Sequence, residues 1–122
     1  MNKKYYVYVA GPYTIGDVAL NVANALGCAD RLIYNGFVPF VPHLTHLWHL
    51  VFPHKYTYWT NYDLEWLKKC DCLLRLPGES KGADAEVKFA EGIFKPVFYS
   101  IPDLIQWRKD RLWIEIPTEK IQ

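Results

Sequence analysis

An α/β fold with a mainly parallel sheet is predicted by three features of this sequence. Short β-branched and aromatic runs alternate with longer stretches whose apolar residues recur at helical spacing. Gly, Pro or Asn residues punctuate the junctions. The resulting order β-α-β-α-β-α-β requires crossovers, which set the strands parallel and put helices on both faces.

The elements follow in order. Tyr5 to Ala10 is apolar nearly throughout and stops at Gly11-Pro12, as a central two-sided strand does. Asp17 caps a helix to about Tyr34, with Val18, Val22, Ala25, Leu26, Ala29, Leu32 and Ile33 at helical spacing. Asn35-Gly36 ends it. Phe37 to Val41 reads as a second strand, closed by Pro42. Pro42 to about Tyr56 reads as a long His- and aromatic-rich loop, too apolar for disorder and of a length that is usually functional. A helix from Tyr58 to Lys69, a strand from Asp71 to Leu76, a helix from about Gly82 to Glu91 and a strand from Pro96 to Ser100 follow. The tail reads as a short helix near Pro102 to Lys109 and a strand at Leu112 to Ile116.

The 122 residues suit one domain. A net charge of +1 gives no footprint for polymeric nucleic acid or an anionic membrane. No stretch approaches the roughly 20 apolar residues of a membrane span. The apolar run after Lys3-Lys4 is too short for a secretory signal. Cys28, Cys70 and Cys72 form no disulfide framework, so a reducing, cytoplasmic setting is expected. Five Trp and nine Tyr exceed the needs of so small a core, which assigns some to a pocket or a subunit contact.

Two carboxylates fall on the inner sides of their helices. Winding the helix after Gly82 at about 100° per residue groups Asp84, Lys88 and Glu91 on a polar face, with an Asp84–Lys88 pair. Glu86 falls among Ala83, Val87, Phe89 and Ala90. On the preceding helix Asp63 sits among Trp59, Trp66, Leu67 and Cys70. Inward carboxylates are costly unless paired, protonated or lining a wet cleft. Two of them, flanking one strand, point either to a shared pocket or to separate buried ion pairs and caps.

Three motifs resemble the nucleoside 2'-deoxyribosyltransferase superfamily, which includes 2'-deoxynucleoside 5'-monophosphate N-glycosidases. They are Tyr8-Val-Ala-Gly-Pro-Tyr-Thr14, Tyr62-Asp63-Leu64 with Cys70-Asp71 following, and Ser80-Lys-Gly-Ala-Asp-Ala-Glu86. The resemblance covers about Tyr6 to Phe98. It implies a flavodoxin-like three-layer α/β/α sandwich and cleavage or transfer at the N-glycosidic bond of a 2'-deoxynucleoside or its 5'-monophosphate. It implies Glu86 as nucleophile, Asp63 as the group that exchanges a proton with the departing base, and Tyr8 as the holder of Glu86. Ser80 matches a serine that grips the 5'-phosphate, whereas Thr14-Ile-Gly-Asp17 lacks the arginine that the monophosphate hydrolases carry there.

Such chemistry suits the residue types, since a carboxylate can trap an oxocarbenium-like centre while a second acid protonates the leaving group. Gly11 and Gly82 would let the backbone approach a sugar or phosphate, and the helix start at Asp17 would offer amide donors. Pro12 and Tyr13 continue the strand end. His43 and Trp59, with His46 and Trp48, are expected to face base or sugar from a lid. His43, His46 and His49 at intervals of three do not converge on one helix face, so no metal and no cofactor are expected. Leu47 to Phe52, Trp107 and Trp113 are candidates for a homodimer or larger homo-oligomer contact. Two other readings stand beside the enzyme: a non-catalytic nucleotide-binding module on the same fold, and a metal-dependent hydrolase built on the His loop.

Overall fold

The structure, a computed structural model, describes residues 3–115. Strand β1 (Tyr6–Ala10) pairs in parallel with β2 (Val38–Phe40) on one side and β3 (Cys72–Arg75) on the other. Strand β4 (Val97–Phe98) joins β3, giving the all-parallel order β2-β1-β3-β4. The strands are shorter than the apolar runs that contain them.

The side-chain alternation of β1 divides the core. Val7 and Val9 pack with Cys28, Leu32 and Leu104, beneath helices α1 (Val18–Tyr34) and α5 (Ile101–Glu115). Tyr8 and Ala10 pack on the other face with Leu67, Ala83 and Ala90, from α3 (Tyr56–Lys69) and α4 (Lys81–Gly92). This is the three-layer α/β/α sandwich that the strand-helix alternation predicts.

Local chemistry sets the helix ends. Asp17 Oδ1 accepts from Leu20 N at 3.1 Å and caps α1. Gly36, at φ +85°, lets the last turn of α1 close through Phe37 N to Leu32 O and Gly36 N to Ile33 O, both 2.9 Å. Ser80 Oγ accepts from Ala83 N at 3.0 Å and starts α4.

The segment expected as a loop from Pro42 to Tyr56 is partly helical. It forms a 3-10 turn at Pro42–Leu44 and helix α2 at Thr45–Val51, and α3 begins at Tyr56 rather than Tyr58. The Leu112–Ile116 strand is also corrected: α5 continues through Glu115, and Ile116 lies outside the described residues. Asp84, expected to pair with Lys88, reaches back to Arg75 instead.

Candidate active site

A cleft of about 780 Å³ opens at the carboxyl ends of the strands, where ligands sit in open parallel sheets. Its wall takes Gly11 to Ile15 in part from the end of β1, Pro42 and His43 from the end of β2, and Glu79 to Ala83 from the start of α4. Helix α3 adds Trp59 and Asp63, and α4 adds Glu86 and Phe89. Of the residues singled out in the sequence, Gly11, Tyr13, His43, Trp59, Asp63, Ser80, Gly82 and Glu86 therefore meet in one cavity. All four histidines, His43, His46, His49 and His54, line it as well.

Three of the singled-out residues stand outside the lining. Tyr8 lies behind the cleft, fully buried, and donates its phenolic hydrogen to Glu86 Oε2. Pro12 contributes through its backbone: its carbonyl accepts from His43 Nε2 at 3.0 Å. Asp17 is exposed, with its carboxylate committed to the cap of α1.

Burial pushes the Glu86 carboxyl up to about 7, against the Tyr8 hydrogen bond and the Arg75 charge, which both favour ionisation. Burial and the negative charge of Glu86 push Asp63 up to about 7. Tyr8 is held far above the ordinary tyrosine range by burial and by the two carboxylates, so it stays a hydrogen-bond donor. Glu86 has two groups that welcome its charge, while Asp63 has Oδ1 buried without a partner. The pair therefore favours an ionised Glu86 beside a protonated Asp63 near neutral pH.

Buried polar atoms are nearly always hydrogen-bonded. Tyr13 Oη, His43 Nδ1 and Asp63 Oδ1 are buried without a partner, and all three residues line this cleft.

The aromatic part of the wall is internally tied. His49 Nδ1 accepts from Trp59 Nε1 at 2.8 Å and from His54 N at 3.2 Å. Tyr13 lies with ring centroids 5.9 Å from His43 and 5.0 Å from His46. The lid expected from the His-rich segment is thus an ordered wall built on α2 and α3.

Sequence reasoning missed Arg75. Its guanidinium is buried at the end of β3 and donates to Leu76 O, to Gly78 O at 3.0 Å and to Asp84 Oδ1 at 2.9 Å. It fastens the β3–α4 loop to the first turn of α4 and places a positive charge near Glu86. The available signal was one arginine inside the otherwise apolar run Cys72-Leu-Leu-Arg-Leu76. Tyr56 and Thr60 on α3 also line the cleft and were not singled out.

Residues 5–100 match the family model described as domain of unknown function DUF7768. The chain belongs to that family. No curated protein matches this DUF7768 chain. Among solved structures its fold is similar to that of a 2-deoxyribosyltransferase from the psychrotolerant bacterium Bacillus psychrosaccharolyticus, with a TM-score of 0.59 and 20% identity. The similarity covers 75% of the DUF7768 chain and 69% of the transferase chain. At that identity the likeness shows a shared α/β fold.

Proposed function

We propose that this DUF7768 domain cleaves or transfers the N-glycosidic bond of a 2'-deoxynucleoside or its 5'-monophosphate through a glycosyl ester on Glu86. The observation that carries this reading is the pair of carboxylates in one cleft, with Tyr8 and Arg75 favouring charge on Glu86 and leaving the proton to Asp63. The fold shared with a 2-deoxyribosyltransferase supports it.

In the first step a Glu86 oxygen bonds to the anomeric carbon as the carbon–nitrogen bond breaks. The bonding pair leaves on the base nitrogen, which takes the Asp63 proton. In the second step Asp63, now ionised, takes a proton from water or from a second base. That nucleophile attacks the anomeric carbon, and Glu86 departs as carboxylate. Tyr8 positions Glu86. Ser80 Oγ, although it accepts from Ala83 N, keeps its hydroxyl hydrogen for a 5'-phosphate, beside Lys81 and the close-approach position Gly82. Gly11, Pro12, Tyr13, His43 and Trp59 frame base and sugar; Asp17 has only the indirect role of capping α1.

Buried thiols at Cys28, Cys70 and Cys72 fit a reducing, cytoplasmic setting, and no helix among the described residues is long and apolar enough to cross a membrane. A homo-oligomer forms part of the proposal, through apolar side chains that the single chain leaves exposed on α2.

The test is release or exchange of base from 2'-deoxynucleosides and their monophosphates, followed by chromatography with and without a second free base. Glu86→Gln is expected to lose activity by about three orders of magnitude or more, and mass spectrometry of the wild type to find the sugar adduct on Glu86. Nucleotide binding without turnover in the wild type would turn the assignment to a non-catalytic binding module. Activity abolished by a chelator would turn it to metal-dependent hydrolysis.

A further inference from the structure

Tyr13 and His43 are neighbours in the cleft wall, and each holds one buried polar atom that the protein leaves without a partner. The polarity of His43 is set by its partner. His43 Nε2 faces the Pro12 carbonyl oxygen at 3.0 Å. A carbonyl only accepts, so Nε2 carries the hydrogen, and a neutral ring then has a bare lone pair at Nδ1. Burial lowers the His43 pKa, which favours that neutral ring. Tyr13 Oη is a phenol, protonated at neutral pH and able to donate. The two atoms do not satisfy each other. Two neighbouring rings, with centroids 5.9 Å apart, therefore hold an acceptor and a donor that are both withdrawn from water.

We infer that Tyr13 and His43 form a base-reading pair, selective for a nucleobase edge on which a hydrogen-bond donor and an acceptor are adjacent. The amidine edge of adenine or cytosine and the amide edge of hypoxanthine or thymine have this pattern; unsubstituted purine does not. The inference rests on the nucleoside reading of the cleft and adds which group of the ligand is recognised and by which atoms. Its physical basis is asymmetric. A matching edge gains little over water, but a base lacking it strands two buried polar atoms, which is how hydrogen-bonding sites discriminate most strongly. Pro12 acts through its carbonyl alone, holding His43 in the tautomer that accepts.

The experiment uses Glu86→Gln protein, so that bound nucleosides stay intact. Affinities are measured for 2'-deoxyadenosine, 2'-deoxycytidine, 2'-deoxyinosine and thymidine against purine 2'-deoxyriboside, which has the same sugar. Nitrogen-15 spectra of His43 are recorded in the free and bound states. The free protein is expected to carry its His43 hydrogen on Nε2. At least one edge-bearing nucleoside is expected to bind about ten-fold or more tightly than purine 2'-deoxyriboside and to shift the Nδ1 resonance. Tyr13→Phe, a substitution that keeps the ring, is expected to shrink that preference without changing the His43 tautomer. A hydrogen on Nδ1 in the free protein overturns the inference. So does equal affinity across the series, which would leave nucleoside binding itself intact. Failure of every nucleoside to bind removes the underlying reading of the cleft, and the base-reading pair with it.

Discussion

Asp63 and Glu86 illustrate how neighbours divide a charge between two similar side chains. Both are pushed up to about 7, from ordinary values of 3.8 and 4.5. A carboxyl whose folded-state pKa is raised contributes stability that is fully present below its unfolded pKa and is lost as pH rises through the folded one. For Asp63 that window runs from about 4 to about 7. Asp63→Asn has no charge to bury, so it is expected to be more stable than the wild type at pH 8, by on the order of 1–2 kcal/mol. The difference should shrink toward pH 4, as read by urea unfolding at the two pH values. The same variant should lose at least about a hundred-fold in base release, with the alkaline limb of its pH profile gone. The inward aim of both carboxylates was legible from helical winding alone, because Ala83, Val87 and Ala90 define the buried side of α4 so sharply. Arg75 was not legible: its partners lie in a loop and a helix start that hydrophobic periodicity does not describe.

Among the elements, the three strand ends are knitted into one rim. Pro12 after β1 holds His43 after β2 through its carbonyl. Gly78 after β3 packs so close to Pro12 that a Cβ on it would lie 2.7 Å from the proline Cγ, and its φ is +114°. Arg75 holds the Gly78 carbonyl from the other side. Gly78→Ala is therefore expected to cost about 1–3 kcal/mol, seen as a lower midpoint of thermal unfolding. It should also weaken ligand binding, since displacing Pro12 displaces His43. The sheet was readable because β-branched runs and helical repeats alternate without ambiguity. Helix α2 was hidden. It is flanked by Pro42 and Pro53, has no side-chain N-cap and buries none of its residues, so neither cap nor amphipathic stripe announces it. The end of α5 was misread for another reason. The aromatic and β-branched Trp113 and Ile114 favour a strand locally, but a helix begun at Ile101 needs only propagation to include them.

For the whole molecule, the surface of α2 asks for cover. Leu47, Leu50, Val51 and Phe52 are 64–69% exposed, an apolar group on and just after the helix whose His46 and His49 line the cleft. A second copy of the chain is the expected cover, and sedimentation of the wild type should show a species at least twice the 14.3 kDa monomer mass. Leu50→Glu, in a position that the single chain leaves open, should return the protein to a monomer with its helical circular dichroism intact. A monomeric wild type at micromolar concentration would remove the oligomer from the proposal.

The open side of the sheet bears on another kind of self-association. Val38 N donates inward to Tyr5 O at 3.0 Å, so the next residue of this edge strand turns its nitrogen outward, and that residue is Pro39. The outward-facing side of β2 consequently has no amide hydrogen to offer, and the opposite edge strand β4 is only two residues long. Both edges are therefore poor templates for the addition of a foreign strand, the first event in cross-β aggregation. A protein crowded with exposed aromatic and aliphatic groups thus has a sheet with blunted edges, and its apolar surface is left to be satisfied by helix packing.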